Sequence, residues 1–298
     1  MPNVEANGIR IEYEAFGDKN DSTILLIAGN GVQMIGWDDL LCEKLAKANH
    51  YVIRYDNRDV GLSTKFEEDG LPNIVEAIQD SRKGKPINAS YTYDEMADDA
   101  VGLLDAIGIS KAHICGASLG AGIAQIVAYR HSDRVLSLIS IYGTTGNPEL
   151  PPPKPEAAAV FVIPPPEGRE AIIQHNVNSM KILAGTGFPF DEVWHKDLAT
   201  HEYDRCYYVA GSARHVLSSI AHGNRKQALS SITAPTLVVH GSEDPIMPLE
   251  GGKETAEVIR GAELMVIEGM GHDFPKLGGA WDQITDRIIE FIATADAN

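Results

Sequence analysis

Residues 113–122 read HICGASLGAG: a strand-like apolar run passes directly into a serine with glycine two positions before it and two after, and an apolar helical pattern follows. Few patterns constrain a fold so tightly. A sharp strand-to-helix turn lifts a serine hydroxyl clear of the sheet edge, and its tight backbone favours very small residues at positions such as Gly116 and Gly120. The spacing G-x-S-x-G recurs by chance, so its context carries the reading. Lying between an apolar strand and an apolar-faced helix, Ser118 is expected to be an exposed nucleophile. The bland alternative is that Ser118 only N-caps the helix.

The rest of the chain has the rhythm such a turn requires. VEANGIRIEYEAFG places Asn7-Gly8 between alternating segments, a hairpin signal. TILLIAG at 23–29 is continuously apolar, as in a strand covered on both faces. WDDLLCEKLAK at 37–47 sets Trp37, Leu40, Leu41 and Leu45 on one helical face, and HYVIRYD returns to strand character. Thr92 and Glu95 form a capping box before a helix carrying Met96, Ala100, Leu103, Leu104 and Ile107. After the serine come a helix, the strands VLSLISIYG, APTLVVHG and AELMVIEG, and a closing helix, WDQITDRIIEFIATA. This alternation predicts an α/β fold with a mostly parallel, doubly wound sheet.

Between 146 and 225 the rhythm breaks. Half of the 16 prolines fall within 148–166, which reads as a hinge or polyproline segment, and three helical stretches follow it. The expected organisation is a core domain of residues 1–145 and 226–298, interrupted by a helical cap at 146–225.

Composition narrows the classes of partner. With 42 acidic against 25 basic residues the net charge is -17, a field that repels nucleic acid and anionic membrane surfaces. Cys42, Cys115 and Cys206 are odd in number, dispersed and without a CxxC pair, which disfavours a disulfide framework and a cysteine zinc site. The N-terminal stretch carries charges where a signal peptide needs an apolar run, and no run of about twenty apolar residues occurs. A soluble, cytoplasmic protein is expected, either monomeric or homodimeric.

A serine hydroxyl is inert at neutral pH without a base that accepts and returns its proton. Ten histidines are present, and His272 is the best placed, because GMGHDFP follows AELMVIEG at the carboxyl edge where open α/β sheets carry their sites. His113 lies inside a strand, His240 ends one, and His175, His195, His201, His215 and His222 fall in the insertion. His195 and His201 have no third ligand at a recognisable metal spacing. The acid that orients the imidazole is expected at Asp244, in the turn HGSEDPIMP, with Glu243 as its rival and a mere turn-forming role as the plain alternative. The oxyanion donors are expected to be the backbone N–H groups of Leu119 and of the AGNGVQ loop, where Asn30 is favoured over Gly29 and Gly31.

GNGVQMIGW, VIRYDNRDVGLS, GASLGAG, KILAGTGFPFD, GSEDPIMP and GMGHDFP together resemble the α/β-hydrolase superfamily with a cap, nearly along the whole chain. Within it the chain is most similar to the aclacinomycin methylesterase-like carboxylic ester hydrolases. The order Ser118, Asp244, His272 is that of this superfamily. Many members begin the oxyanion loop with His-Gly, whereas this chain has Ala28-Gly29. DNRDVGLS resembles a family turn near the site; its plain reading is an Asp56 to Arg58 interaction that stiffens the loop.

The expected chemistry is hydrolysis of a small-molecule ester through an acyl-enzyme, with no metal or organic cofactor. Perhydrolase, thioesterase and carbon–carbon hydrolase activities use the same residues, and a non-catalytic ligand-binding protein of this fold is the reading from another class. An apolar substrate pocket is expected from Trp37, Phe161, Met180, Leu183, Phe188 and Trp194, with Val162, Ile163, Ile172, Ile173 and Phe190 as further contributors. Packing inside the cap is the plain alternative for each. Methyl-ester cleavage is implied only by the resemblance.

Overall fold

In the computed structural model, which describes residues 2–297, the apolar runs form one eight-stranded sheet. Strands β1 (Asn3–Ala6) and β2 (Ile9–Phe16) make an antiparallel hairpin whose turn residues, Asn7 and Gly8, both have positive φ, as a two-residue type I′ connection requires. Next come β3 (Ser22–Ile27), α1 (Asp39–Lys47), β4 (His50–Tyr55), α2 (Ile74–Arg82), α3 (Tyr93–Ala106), β5 (Ala112–Ala117), α4 (Leu119–Arg130) and β6 (Val135–Ile141). Five helices then intervene: α5 (Pro155–Ala159), α6 (Arg169–Leu183), α7 (Glu192–Cys206), α8 (Val209–His222) and α9 (Lys226–Leu229). The sheet resumes with β7 (Thr236–Gly241), α10 (Leu249–Val258), β8 (Glu263–Ile267) and the closing α11 (Ala280–Asp296).

The strand order is β1-β2-β4-β3-β5-β6-β7-β8, antiparallel at β1-β2 and β2-β4 and parallel elsewhere. The chain winds from β3 outward to β4, then returns to place β5 on the other side of β3. That reversal opens a crevice at the carboxyl ends of β3 and β5, where the loop at 28–33 and Ser118 both lie. Because side chains alternate along a strand, the run TILLI serves both faces. Leu25 and Ile27 join the core under α3 and α4, while Ile24 and Leu26 join the core under α1 and α11.

Two local expectations change, at Leu40 and in the proline-rich stretch. Leu40 is 69% exposed, and Cys42 takes the buried place beside Leu41 and Leu45, because α1 begins only at Asp39 and its inward face is turned accordingly. β8 is an edge strand with Leu264 and Val266 partly exposed, so its apolar run does not signify burial on both faces. The proline-rich stretch includes α5, with Pro155 in the first turn, where its missing N–H is no loss. Helix α2, capped by Asn73, had no counterpart in the sequence reading. Among the described residues no helix is long and apolar enough to cross a membrane.

Candidate active site

Ser118 has φ 57° and ψ -120°, a conformation that an L-residue adopts only when its surroundings impose it. The imposing contacts are visible. A Cβ on Gly116 would stand 2.1 Å from the Gly120 carbonyl oxygen, and one on Gly120 would stand 2.1 Å from that of Ile27. Both positions therefore exclude every side chain, and β5 passes into α4 with no spacer. Ser118 occupies the N-cap position, yet its hydroxyl caps nothing in the helix. It donates instead to Nε2 of His272, 2.8 Å away.

His272 follows β8 in the stretch GMGHDFP and is 7% exposed. Its backbone N–H donates to the Leu183 carbonyl at 2.8 Å, and its ring packs against Tyr142 at a centroid distance of 4.5 Å. Nδ1 lies 2.7 Å from Asp244 Oδ2. Facing a carboxylate there, the neutral imidazole carries its proton on Nδ1 and leaves Nε2 free to accept from the serine. The other carboxylate oxygen, Oδ1, accepts the N–H groups of Ile246 at 3.0 Å and Met247 at 2.8 Å, so the turn around Pro245 fixes the acid's rotation. Glu243 points elsewhere and binds the backbone N–H and hydroxyl of Thr186, beyond the end of α6.

The remaining histidines occupy other environments. His240 is fully buried behind Asp244, and its Nε2 donates to the Met247 carbonyl at 2.7 Å. His113 lies in the sheet between Ser137 and Asp296. His215 on α8 bridges two loops: its Nε2 donates to the Arg58 carbonyl at 2.8 Å, and its Nδ1 accepts the Gly31 N–H at 3.3 Å. Burial pushes this imidazole down to about 4. His195 is stacked on Phe190 and is likewise pushed down to about 4 by burial. His201 pairs with Asp197, on the surface.

The Gly31 bond to His215 removes one of the three candidate donors of the loop after β3. Gly29 is packed against Ser118: a Cβ on it would stand 3.4 Å from the serine Cβ. Asn30 lines the cavity, and its side chain is tied to Ser212 Oγ at 2.9 Å. On the other side, Leu119 is the first residue of α4, a position whose N–H has no carbonyl of its own helix to bond. These groups border the serine on two sides, an arrangement able to hold a developing oxyanion.

Ser118 and His272 open into a cavity of about 560 Å³ between the sheet edge and the inserted helices. Trp37, Phe161, Met180, Leu183 and Trp194 line it. Phe188 does not. The turn after α6 is bound to Gly269 through the Gly187 N–H, and Phe188 packs beside Gly278 and the core beneath α1 and α11. Val162 and Ile163 reach the cavity, but Ile172, Ile173 and Phe190 do not. Helix α6 turns Met180 and Leu183 toward the cavity and Ile173 and Val177 toward α7, where they pack with Ala199 and Phe190.

The loop after β4 corrects a further expectation. Asp56 and Arg58 do not pair with each other. Asp56 binds Arg205 of α7 at 2.8 Å and caps the N–H groups of Met34 and Leu62, whereas Arg58 binds Asp99 of α3 at 2.6 Å. With one residue between them, the two side chains diverge to opposite sides of the loop. Next to them Asp59 receives both arms of Arg214 from α8, at 2.8 and 2.9 Å, together with the Tyr91 hydroxyl at 2.7 Å. Burial alone would raise the Asp59 carboxyl; the Arg214, Phe66 and Tyr91 hydrogen bonds outweigh it and hold the group below its ordinary range.

The sequence reading also missed two carboxyl groups on the cavity wall. Burial pushes Asp273 up to about 6, and Glu202 of α7 up to about 7. Glu202 was legible in retrospect, since it shares a helical face with Leu198, Ala199 and Cys206.

A family model described as the alpha/beta hydrolase fold matches residues 23–278. Rhodomycin D methylesterase DauP of a Streptomyces species is 31% identical over 289 residues, 88% of each chain. A 2-hydroxymuconate semialdehyde hydrolase of a Pseudomonas species is 28% identical over 297 residues, 92% of this chain and 88% of its own. Among solved structures, the meta-cleavage product hydrolase of Pseudomonas fluorescens IP01 aligns with a TM-score of 0.76 over 100% of this chain and 98% of its own, at 24% identity, a likeness of fold alone.

Proposed function

Because the chain belongs to the alpha/beta hydrolase family, we propose that it is a serine carboxylic ester hydrolase acting on small to medium hydrophobic esters, methyl esters among them. The observation that carries this reading is the relay from Asp244 through His272 to Ser118, with links of 2.7 and 2.8 Å, ending at an apolar cavity. Residues 146–225 act as a cap over a core of residues 1–145 and 226–298, and the cavity between them admits the substrate.

In the first half-reaction Ser118 Oγ attacks the ester carbonyl carbon while His272 Nε2 takes the hydroxyl proton. Asp244 steadies the resulting imidazolium. The Leu119 and Asn30 N–H groups hold the oxyanion, each such donor contributing about 10²- to 10³-fold in rate. Collapse of the intermediate breaks the bond to the alcohol oxygen, which leaves with the proton from His272. Water, deprotonated by His272, then attacks the acyl-serine. The same steps release the carboxylic acid and restore the serine.

A fluorophosphonate probe tests this directly. The label is expected on the peptide containing Ser118, together with loss of p-nitrophenyl butyrate hydrolysis. A label on another residue, or full activity in Ser118→Ala, overturns the reading. A second reading, hydrolysis of a carbon–carbon bond beside a ketone by the same residues, draws support from the likeness to the 2-hydroxymuconate semialdehyde hydrolase. A panel of ester and vinylogous diketone substrates, with products identified, separates the two.

A further inference from the structure

The wall of the cavity holds a carboxyl group that ester cleavage as described above does not use. Helix α7 turns His195, Leu198, Ala199, Glu202 and Cys206 toward the cavity, the i, i+3, i+4 stripe of a single helical face. Four of these are apolar or held neutral; Glu202 is the exception. Its Oε1 accepts the Gln33 N–H at 3.2 Å, and its Oε2 has no hydrogen-bond partner among the described residues. Gln33 stands three residues after Asn30, so the carboxyl hangs beside the loop that borders Ser118. The ionised groups nearest to it, Asp56 and Arg205, are bound to each other at 2.8 Å and leave little net charge.

Acidic side chains outnumber lysines and arginines in the lining, which also holds His175 and His272. Its acidic members are Asp38, Glu202 and Asp273, and its one lysine, Lys276, is bound to Asp38. His195 is kept neutral by burial. The uncompensated groups are therefore carboxyls, in a chain whose net charge is already -17. Such a cavity repels anionic substrates, and a purely hydrocarbon substrate leaves Oε2 without a partner. A cation satisfies it, and aromatic side chains such as Phe161 and Tyr207, the kind that attract cations, line the same cavity. The acid released by hydrolysis is, conversely, expelled by the same field.

We propose that Glu202 is a specificity-determining residue and that the preferred esters carry a positively charged amine, which its free carboxylate oxygen binds inside the cavity. This deepens the ester-hydrolase reading and rests on it for the word ester alone. Because a bound cation favours the ionised carboxylate, affinity should rise with pH through the range near 7 in which Glu202 loses its proton.

Two measurements test the proposal. In the first, p-nitrophenyl esters with a trimethylammonium-bearing or an isosteric tert-butyl-bearing acyl chain are compared by kcat/KM from pH 6 to pH 8. The cationic-to-neutral ratio is expected to rise about tenfold over this range in the wild type and to stay flat in Glu202→Gln. An equal ratio in the two proteins, or an equal gain for a hydroxyl-bearing chain, overturns it. In the second, benzyltrimethylammonium binding to Ser118→Ala is measured by calorimetry, with and without Glu202→Gln, so that no turnover is needed. Binding that tightens with pH only when Glu202 is present supports the proposal, and binding unchanged by the substitution sinks it. Absence of hydrolysis of both esters by the wild type instead defeats the ester-hydrolase reading and leaves the calorimetric result to decide the role of Glu202.

Discussion

Asp244 Oδ2 lies 2.7 Å from His272 Nδ1, a residue 28 positions away, and 3.7 Å from Nε2 of His240, only four positions away. Proximity in sequence thus selects the wrong imidazole. His240 donates to the Met247 carbonyl and is walled in by Gly252, while His272 is the histidine that reaches the serine among the described residues. Replacing His272 by Ala is expected to lower kcat for p-nitrophenyl butyrate by about 10³-fold or more. His240→Ala should act mainly on stability, lowering the thermal midpoint while keeping kcat within about tenfold. Steady-state kinetics on both folded variants checks this, and the reverse ranking would assign the base to His240.

Asp244→Asn keeps the shape of the side chain but removes the charge that holds the Nδ1 proton. The amide is then able to turn its NH₂ toward the ring and stabilise the tautomer that presents an N–H to the serine. A fall in kcat of about 10⁴-fold is expected with little change in unfolding temperature. A loss of less than about tenfold would remove Asp244 from the relay.

Arg214 ties α8 to the loop after β4 through Asp59, and both side chains are almost wholly buried. Removing one partner leaves an uncompensated buried charge, so Arg214→Met should cost about 3–5 kcal/mol in urea unfolding. Combining it with Asp59→Asn should recover part of that loss. If the double variant is as unstable as the sum of the single variants, the two residues do not interact energetically.

His215 supplies a pH dependence whose sign is fixed by its burial. Its folded value of about 4 lies below the ordinary 6.5, so between these two values the unfolded chain binds the proton and the native chain refuses it. Stability contributed by neutral His215 is therefore complete above about pH 6.5 and falls as the pH drops toward 4. Asp59, Arg58 and Arg214 are the charged groups around it. Urea midpoints for the wild type should decline more steeply over this window than those of His215→Gln. Parallel curves would show that the imidazole titrates freely in the native state.

Much of this was legible along the chain. Hydrophobic runs of strand length, the Asn7-Gly8 turn and the Thr92–Glu95 capping box act over a few residues, and each reappears at its expected position in the fold. The glycines around Ser118 were legible for the same reason, since the turn that needs them is local. Side-chain direction was harder to read. Asp56 and Arg58 looked like partners because they are two residues apart, yet each finds its counter-ion on a distant helix, at Arg205 and Asp99. Phe188 looked like a pocket residue, but the turn that carries it docks on Gly269 and directs it into the core.

The sequence by itself determined the order of the strands and of the longer core helices, the bend at Ser118 and the acidity of the chain, because backbone sterics, hydrophobic period and charge count are properties of short segments or of composition. Only the tertiary structure decided which imidazole meets the serine, which arginine neutralises which buried aspartate, and that Glu202 lines the cavity. Those outcomes depend on distances between groups as many as 169 residues apart, and such distances exist only after the sheet has formed and the inserted helices have packed above its edge.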